Sequence, residues 1–118
     1  MKLGSTLCVA AAVTATLLIA SAARADQTVS STISQIKVLE SSDSRYKLFH
    51  GAVWLRIDKA TQHYRWGGKH CGGGRLNEST LKLMYDAFRE KDSVTIDYST
   101  RKYKKDVFRC ITALTVTH

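Results

Sequence analysis

Two cysteines, Cys71 and Cys110, constrain this fold more than any other feature, because of what stands at the start of the chain. Lys2 gives a short positive start, an apolar stretch runs from Leu7 to Ala20, and Ala23-Arg24-Ala25 follows as an A-x-A site. That pattern is a secretory signal peptide, with cleavage expected between Ala25 and Asp26. The rival is an uncleaved anchor, but the apolar run of about fourteen residues falls short of the roughly 20 that span a bilayer. After cleavage, no integral membrane protein is expected. Export ends in the periplasm or outside the cell, and an even pair of cysteines in such an oxidising place predicts a disulfide. The bridge closes a loop of about 40 residues, for which the chain-entropy account gives about 4 kcal/mol. That is a large share of the roughly 5–15 kcal/mol that holds a small domain together.

The 118 residues less those 25 leave 93, enough for one domain, residues 26–118. A chain of this size buries only about 60% of its unfolded surface, so extra support is expected. Taking Lys2 and Arg24 from the 18 basic residues leaves 16 against 10 acidic ones, a net charge of +6. The excess favours anionic partners: acidic glycans, lipid headgroups, nucleic acid or an acidic protein face. It serves plain solubility equally well.

Hydropathy patterning supplies the elements. Thr32 to Glu40 holds Ile33, Ile36, Val38 and Leu39 in broken alternation, which predicts a strand with a bulge. Ser41 to Arg45 is a turn cluster. Ala52 to Asp58 alternates cleanly, with Val53, Leu55 and Ile57 on one face and Trp54, Arg56 and Asp58 on the other. Lys59 to Gln62 reads as a turn, and His63 to Trp66 as a short third strand. Asn77 to Lys91 is one amphipathic helix, capped by Asn77 or Ser79, with Leu81, Met84, Tyr85 and Phe88 as its apolar stripe. Val94 to Ser99 is a strand, Arg101 to Lys105 a basic loop, and Val107 to Thr117 a long last strand with Phe108, Cys110, Leu114 and Val116 facing inward. The order β-β-β-α-β-β predicts a mostly β, α+β domain: a small OB-like five-stranded barrel with its helix between strands 3 and 4. An open sheet covered by one helix is the rival.

The stretch from His63 to Leu76, HYRWGGKHCGGGRL, concentrates the chemistry. It lacks the spacing of either glycine-rich phosphate loop. His63, His70 and Cys71 have no metal-ligand spacing, so no metal or other cofactor is expected. No nucleophile, base and orienting group come together, so no enzyme is expected. Cys71 beside His70 is suggestive only with a free thiol. The disulfide reading fits better: the bridge ties the Gly67–Gly74 turn to the last strand.

Aromatic and basic side chains carry the binding reading. Tyr64, Arg65, Trp66, Lys69, His70 and Arg75 cluster before the helix. Trp54 and Arg56 share the outer face of the second strand. Arg101, Lys102, Tyr103, Lys104 and Lys105 form the basic loop. In OB folds this loop and this face commonly bind oligosaccharides or oligonucleotides. Tyr64 and Trp66 fit a core or subunit-interface role equally well, and the lysines also fit the guarding of a strand edge. Export disfavours nucleic acid.

By its signal peptide, mature length, element order, lone disulfide and helix-strand unit NESTLKLMYDAFREKDSVTIDYS, the chain resembles the B subunits of bacterial AB5 toxins. The resemblance implies a ring pentamer that binds cell-surface glycans and carries an enzymatic A chain. WGGKHCGGG matches no motif of that family, and the cysteines stand elsewhere than in its cholera-like members, so no family binding residue is carried over. The expectation is an exported, non-enzymatic module for an anionic glycan. The alternative is a small periplasmic protein that binds an acidic protein surface, as an inhibitor or envelope-stress factor.

Overall fold

The computed structural model describes residues 26–118; the expected signal peptide lies outside them. Six strands and one helix follow in order: β1 (Asp26–Gln27), β2 (Ser31–Val38), β3 (Gly51–Ile57), β4 (Ala60–Trp66), α1 (Glu78–Glu90), β5 (Ser93–Tyr103) and β6 (Asp106–Thr117). A single 3-10 turn at Lys69–Cys71 leads from β4 towards α1. Five strands close a barrel in the order β5-β2-β3-β4-β6 and back to β5, and β1 pairs with β5 outside that ring. The architecture is mostly β and consistent with a small OB-like barrel. The strand order differs from the expected β-β-β-α-β-β run: β1 precedes it.

Pairing is uneven round the ring. β5 and β6 pair over their whole length, and β3 with β4 over seven residues. β2 meets β5 at only two positions, and β4 meets β6 at one, Arg65 with Cys110, in parallel. The Cys71–Cys110 disulfide, with Cα atoms 5.5 Å apart, sits at that thinnest seam.

The clean alternation of β3 places Val53 and Leu55 in the barrel with no exposure, against Val94 and Ile96 of β5, Tyr64 and Trp66 of β4, and Ile33 of β2. Full burial of an aliphatic side chain of this size stabilises by about 1.5–3 kcal/mol. α1 closes one side with Met84 and Ala87. Asn77 caps it, Oδ1 accepting from the Thr80 amide at 2.8 Å, and Lys91 ends it in the left-handed region. Lys82 and Asp86 pair at 2.8 Å as their spacing predicts.

Four local expectations change. Tyr85 is 58% exposed, since it stands about 100° round the helix from Met84, while Ala87 and Phe88 flank Met84. β4 starts at Ala60, because Asp58 takes φ 57° and closes a two-residue hairpin with Ile57 paired to Ala60. The basic loop is mostly strand: Arg101, Lys102 and Tyr103 pair with Phe108, Val107 and Asp106, and only Lys104 and Lys105 turn. Finally, Phe108 and Cys110 leave the inner face. The register steps from Asp97 opposite Ala113 to Tyr98 opposite Ile111, which leaves Thr112 as a bulge and reverses the alternation of β6. Ile111 enters the core in their place.

Candidate functional site

The outward turn of Phe108 and Cys110 builds a second, smaller packed unit outside the barrel. His70 of the 3-10 turn is its centre. Its ring lies flat against Phe108 at 4.0 Å and parallel to Phe49 at 5.9 Å, and Tyr103 tilts over it at 5.0 Å. The Arg65 guanidinium stacks on the same two phenyl rings, at 4.1 Å from Phe49 and 4.6 Å from Phe108. Arg65 Nη1 lies 2.7 Å from His70 Nδ1. A guanidinium only donates, so Nδ1 accepts, and His70 is neutral with its proton on Nε2. Burial first, and then the Arg65 charge, push the His70 pKa down, with Asp106 opposing. Arg65 Nε is buried without a partner, so the rings carry much of what holds this cation.

The connection between β2 and β3 forms the roof. Leu39, Phe49 and Ala52 are a small core of their own, with Tyr46, Leu48 and Trp54 packed on it. The amides of Lys69 and His70 donate to the carbonyls of Lys47 and Leu48 at 3.0 and 2.9 Å. Gly68 stands against this backbone. A Cβ there would collide with the Leu48 carbonyl, and its φ is 70°, so glycine is required. Cys110 Sγ lies 3.4 Å from the His70 carbonyl oxygen; a disulfide sulfur has no proton, so this is packing.

The β5–β6 hairpin beyond the seam pairs only with itself. Tyr103 and Phe108 brace one face of it on His70. Between Thr100 and Arg109 it carries five cations and one acid, Asp106. Among the described residues, Arg101, Lys102, Lys104, Lys105 and Arg109 form no ion pair; the pairs present are Asp43–Arg45, Asp86 with Lys82 and Arg89, and Asp92–His118. Arg109 instead lies over the Tyr64 ring at 5.2 Å and donates to the His63 carbonyl.

The residues expected to bind divide into three groups. Arg101, Lys102 and Lys104 are exposed on the hairpin, with Lys69 and Arg56 exposed elsewhere. Tyr103, Arg65 and Trp54 are half-buried, the first two in the His70 cluster and Trp54 stacked on His63 at 5.7 Å. Tyr64 and Trp66 are 1% and 3% exposed and belong to the core. They alternate with Arg65 along β4, so a strand that offers the arginine outward buries both aromatics. Arg109, Phe49 and Phe108 were not among the expected site residues. Phe49 lies in a turn-rich segment with no period to reveal it.

No three His, Cys, Asp or Glu side chains gather as a metal site among the described residues. No helix among them is long and apolar enough to cross a membrane. The chain matches no protein-family model, no curated protein and no solved structure.

Proposed function

We propose that the chain is an exported, non-enzymatic binding module for anionic glycans, of the kind the B subunits of AB5 toxins represent, with an OB-type barrel as its frame. The unpaired cations of the β5–β6 hairpin carry this reading: Lys102, Lys104 and Lys105 stand exposed with one acid among them. The hairpin is braced on a packed aromatic cluster, so its charges are presented in a fixed place, which lowers the ordering cost of binding. A ring of identical subunits multiplies weak contacts to a glycan-bearing surface.

The test is a glycan array probed with residues 26–118, and with the same chain carrying Lys102→Glu, Lys104→Glu and Lys105→Glu. Retention of sialylated or sulfated sugars, weakened by salt and abolished by the three substitutions, is the expected result. Silence towards every acidic sugar overturns the reading. One stoichiometric protein recovered from envelope extract through the same hairpin points instead to the protein-binding alternative.

A further inference from the structure

Beside the disulfide, on the outer face, lies a cleft of about 190 Å³ that the hairpin lysines do not line. Arg75 and Arg101 flank it, Ser99 and Thr112 offer hydroxyls, and Trp66 and Ile111 form apolar floor. Both arginines are exposed, and neither forms an ion pair among the described residues. Arg101 reaches the cleft across the turn at Gly72. The Arg101 guanidinium lies over Gly72, where a Cβ would stand 2.7 Å from Nη1 and 2.8 Å from Cζ. Gly72 has φ 67°, so one glycine both turns the chain and leaves room for the cation. Thr112, the bulged residue of β6, turns to this face because of the bulge.

Size and lining set the ligand. Pockets for drug-sized molecules are commonly about 300–1,000 Å³, so this one suits a single ring. Two guanidinium groups suit a carboxylate or sulfate, which they can hold with paired, charge-assisted hydrogen bonds. Hydroxyls above an apolar floor suit a sugar ring. A second cleft of about 280 Å³ shares Trp66, Arg75 and Leu76 with the first and continues to Tyr46, His50 and Leu81. Its lining sets Glu78 beside Arg75 and so carries no net charge, and a longer chain has room to continue there with a neutral unit.

We infer that the Arg75–Arg101 cleft is the specific subsite, taking one acidic sugar unit by its carboxylate or sulfate, with the next unit in the neighbouring cleft. This rests on the glycan-binding reading and deepens it: the lysines of the hairpin attract, and the two arginines select.

The test follows amide shifts of residues 26–118 by NMR during titration with glucuronate, glucose, acetate and a triglutamate peptide. Glucuronate is expected to move the amides of Gly72, Gly74, Ser99 and Thr112. Arg75→Gln and Arg101→Gln should each weaken it about tenfold or more, the effect of losing one hydrogen bond to a charged group. Glucose binding as well as glucuronate would overturn the role of the guanidinium groups. Acetate doing so would overturn the role of the ring, and triglutamate the choice of a sugar. Shifts confined to Lys104 and Lys105 would place the ligand elsewhere and sink the inference. A sulfated polysaccharide column separates the two readings. If it holds the double arginine variant as well as the wild-type chain, and glucuronate moves no cleft amide, the cleft fails and the hairpin reading stands. If the triple lysine variant binds both probes like wild type, the hairpin reading fails and the cleft stands.

Discussion

The contact between His70 and Arg65 makes the fold sensitive to acid. Groups facing the His70 ring are Arg65 from β4, Tyr103 from β5 and, acting across space, Asp106 from β6. Protonating His70 removes the acceptor from Arg65 Nη1 and sets two cations 2.7 Å apart in an aromatic box. Its folded pKa therefore lies below the ordinary 6.5, and the unfolded chain binds the extra proton first. Stability is fully present above about pH 6.5 and falls as pH drops through the window beneath it, by up to about 1.4 kcal/mol per pH unit for each proton. His50 and His63 are also shifted downward, chiefly by burial, and add to the same slope. Glutamine can accept from Arg65 but cannot titrate. Denaturant melts of His70→Gln between pH 7.5 and 5 should therefore show a slope shallower than wild type by up to one proton. An unchanged slope would mean that the Arg65–His70 contact does not govern the acid response. At Gly68 the backbone itself is the constraint. Gly68→Ala meets the Leu48 carbonyl at φ 70° and ψ −170°, a region open essentially to glycine alone, whose strain costs about 1–3 kcal/mol. A loss of at least that much in the same melts is expected.

The helix and the hairpin show what sequence patterning can and cannot reveal. α1 was legible almost to the residue, because capping and a 3.6-residue period are local. Met84→Ala should cost about 2–5 kcal/mol, or a fall in Tm of roughly 10 °C or more. Tyr85→Ala should stay within about 0.5 kcal/mol of wild type if the chain is monomeric under the conditions of the melt. Similar losses at both positions would contradict the observed helix face. β3 was legible for the same reason, and Val53 and Leu55 lie where alternation put them. β6 was not, because one extra residue at Thr112 reverses every side chain beyond it and leaves no mark on composition. Unbroken alternation puts Phe108 in the core, whereas it is the platform under His70. The basic segment reads as a loop because four cations surround its one tyrosine, while cross-strand pairing with Phe108, Val107 and Asp106 holds three of the five residues extended. Of the site, the cations of the hairpin were visible as charge. The cluster that braces them was not, because Phe49, Arg65, His70 and Phe108 are brought together only by tertiary packing.

At the scale of the whole molecule, the barrel closes through two weak seams and one covalent tie. The β4–β6 seam has a single residue pair, and Cys110 belongs to it. The disulfide therefore does more than shorten the unfolded chain. It fixes the 3-10 turn, the His70 cluster and the floor of the Arg75–Arg101 cleft to β6 at the point where hydrogen bonding is sparsest. Reduction should remove about 4 kcal/mol and open this seam first, so the amides of Arg65 and Ile111 should lose exchange protection before those of Val53 and Leu55. The ring reading makes a separate demand on the outer surface. Leu83 and Tyr85 on the helix are 43% and 58% exposed, Val38 on β2 is 64% exposed, and β1 leaves an outer edge unpaired among the described residues. A pentamer gives such apolar groups and such an edge something to cover. Light scattering after size exclusion of residues 26–118, with and without reductant, weighs this directly. A mass five times that of the chain, falling on reduction, is the expected result if the stapled seam also shapes the subunit contact. In that ring Tyr85→Lys should lower the mass without altering glucuronate binding, because Tyr85 stands outside the lining of both clefts. A monomer in both conditions would remove the ring. Binding would then rest on one hairpin and one cleft per molecule, and affinity for a glycan-bearing surface would be no greater than for the free sugar.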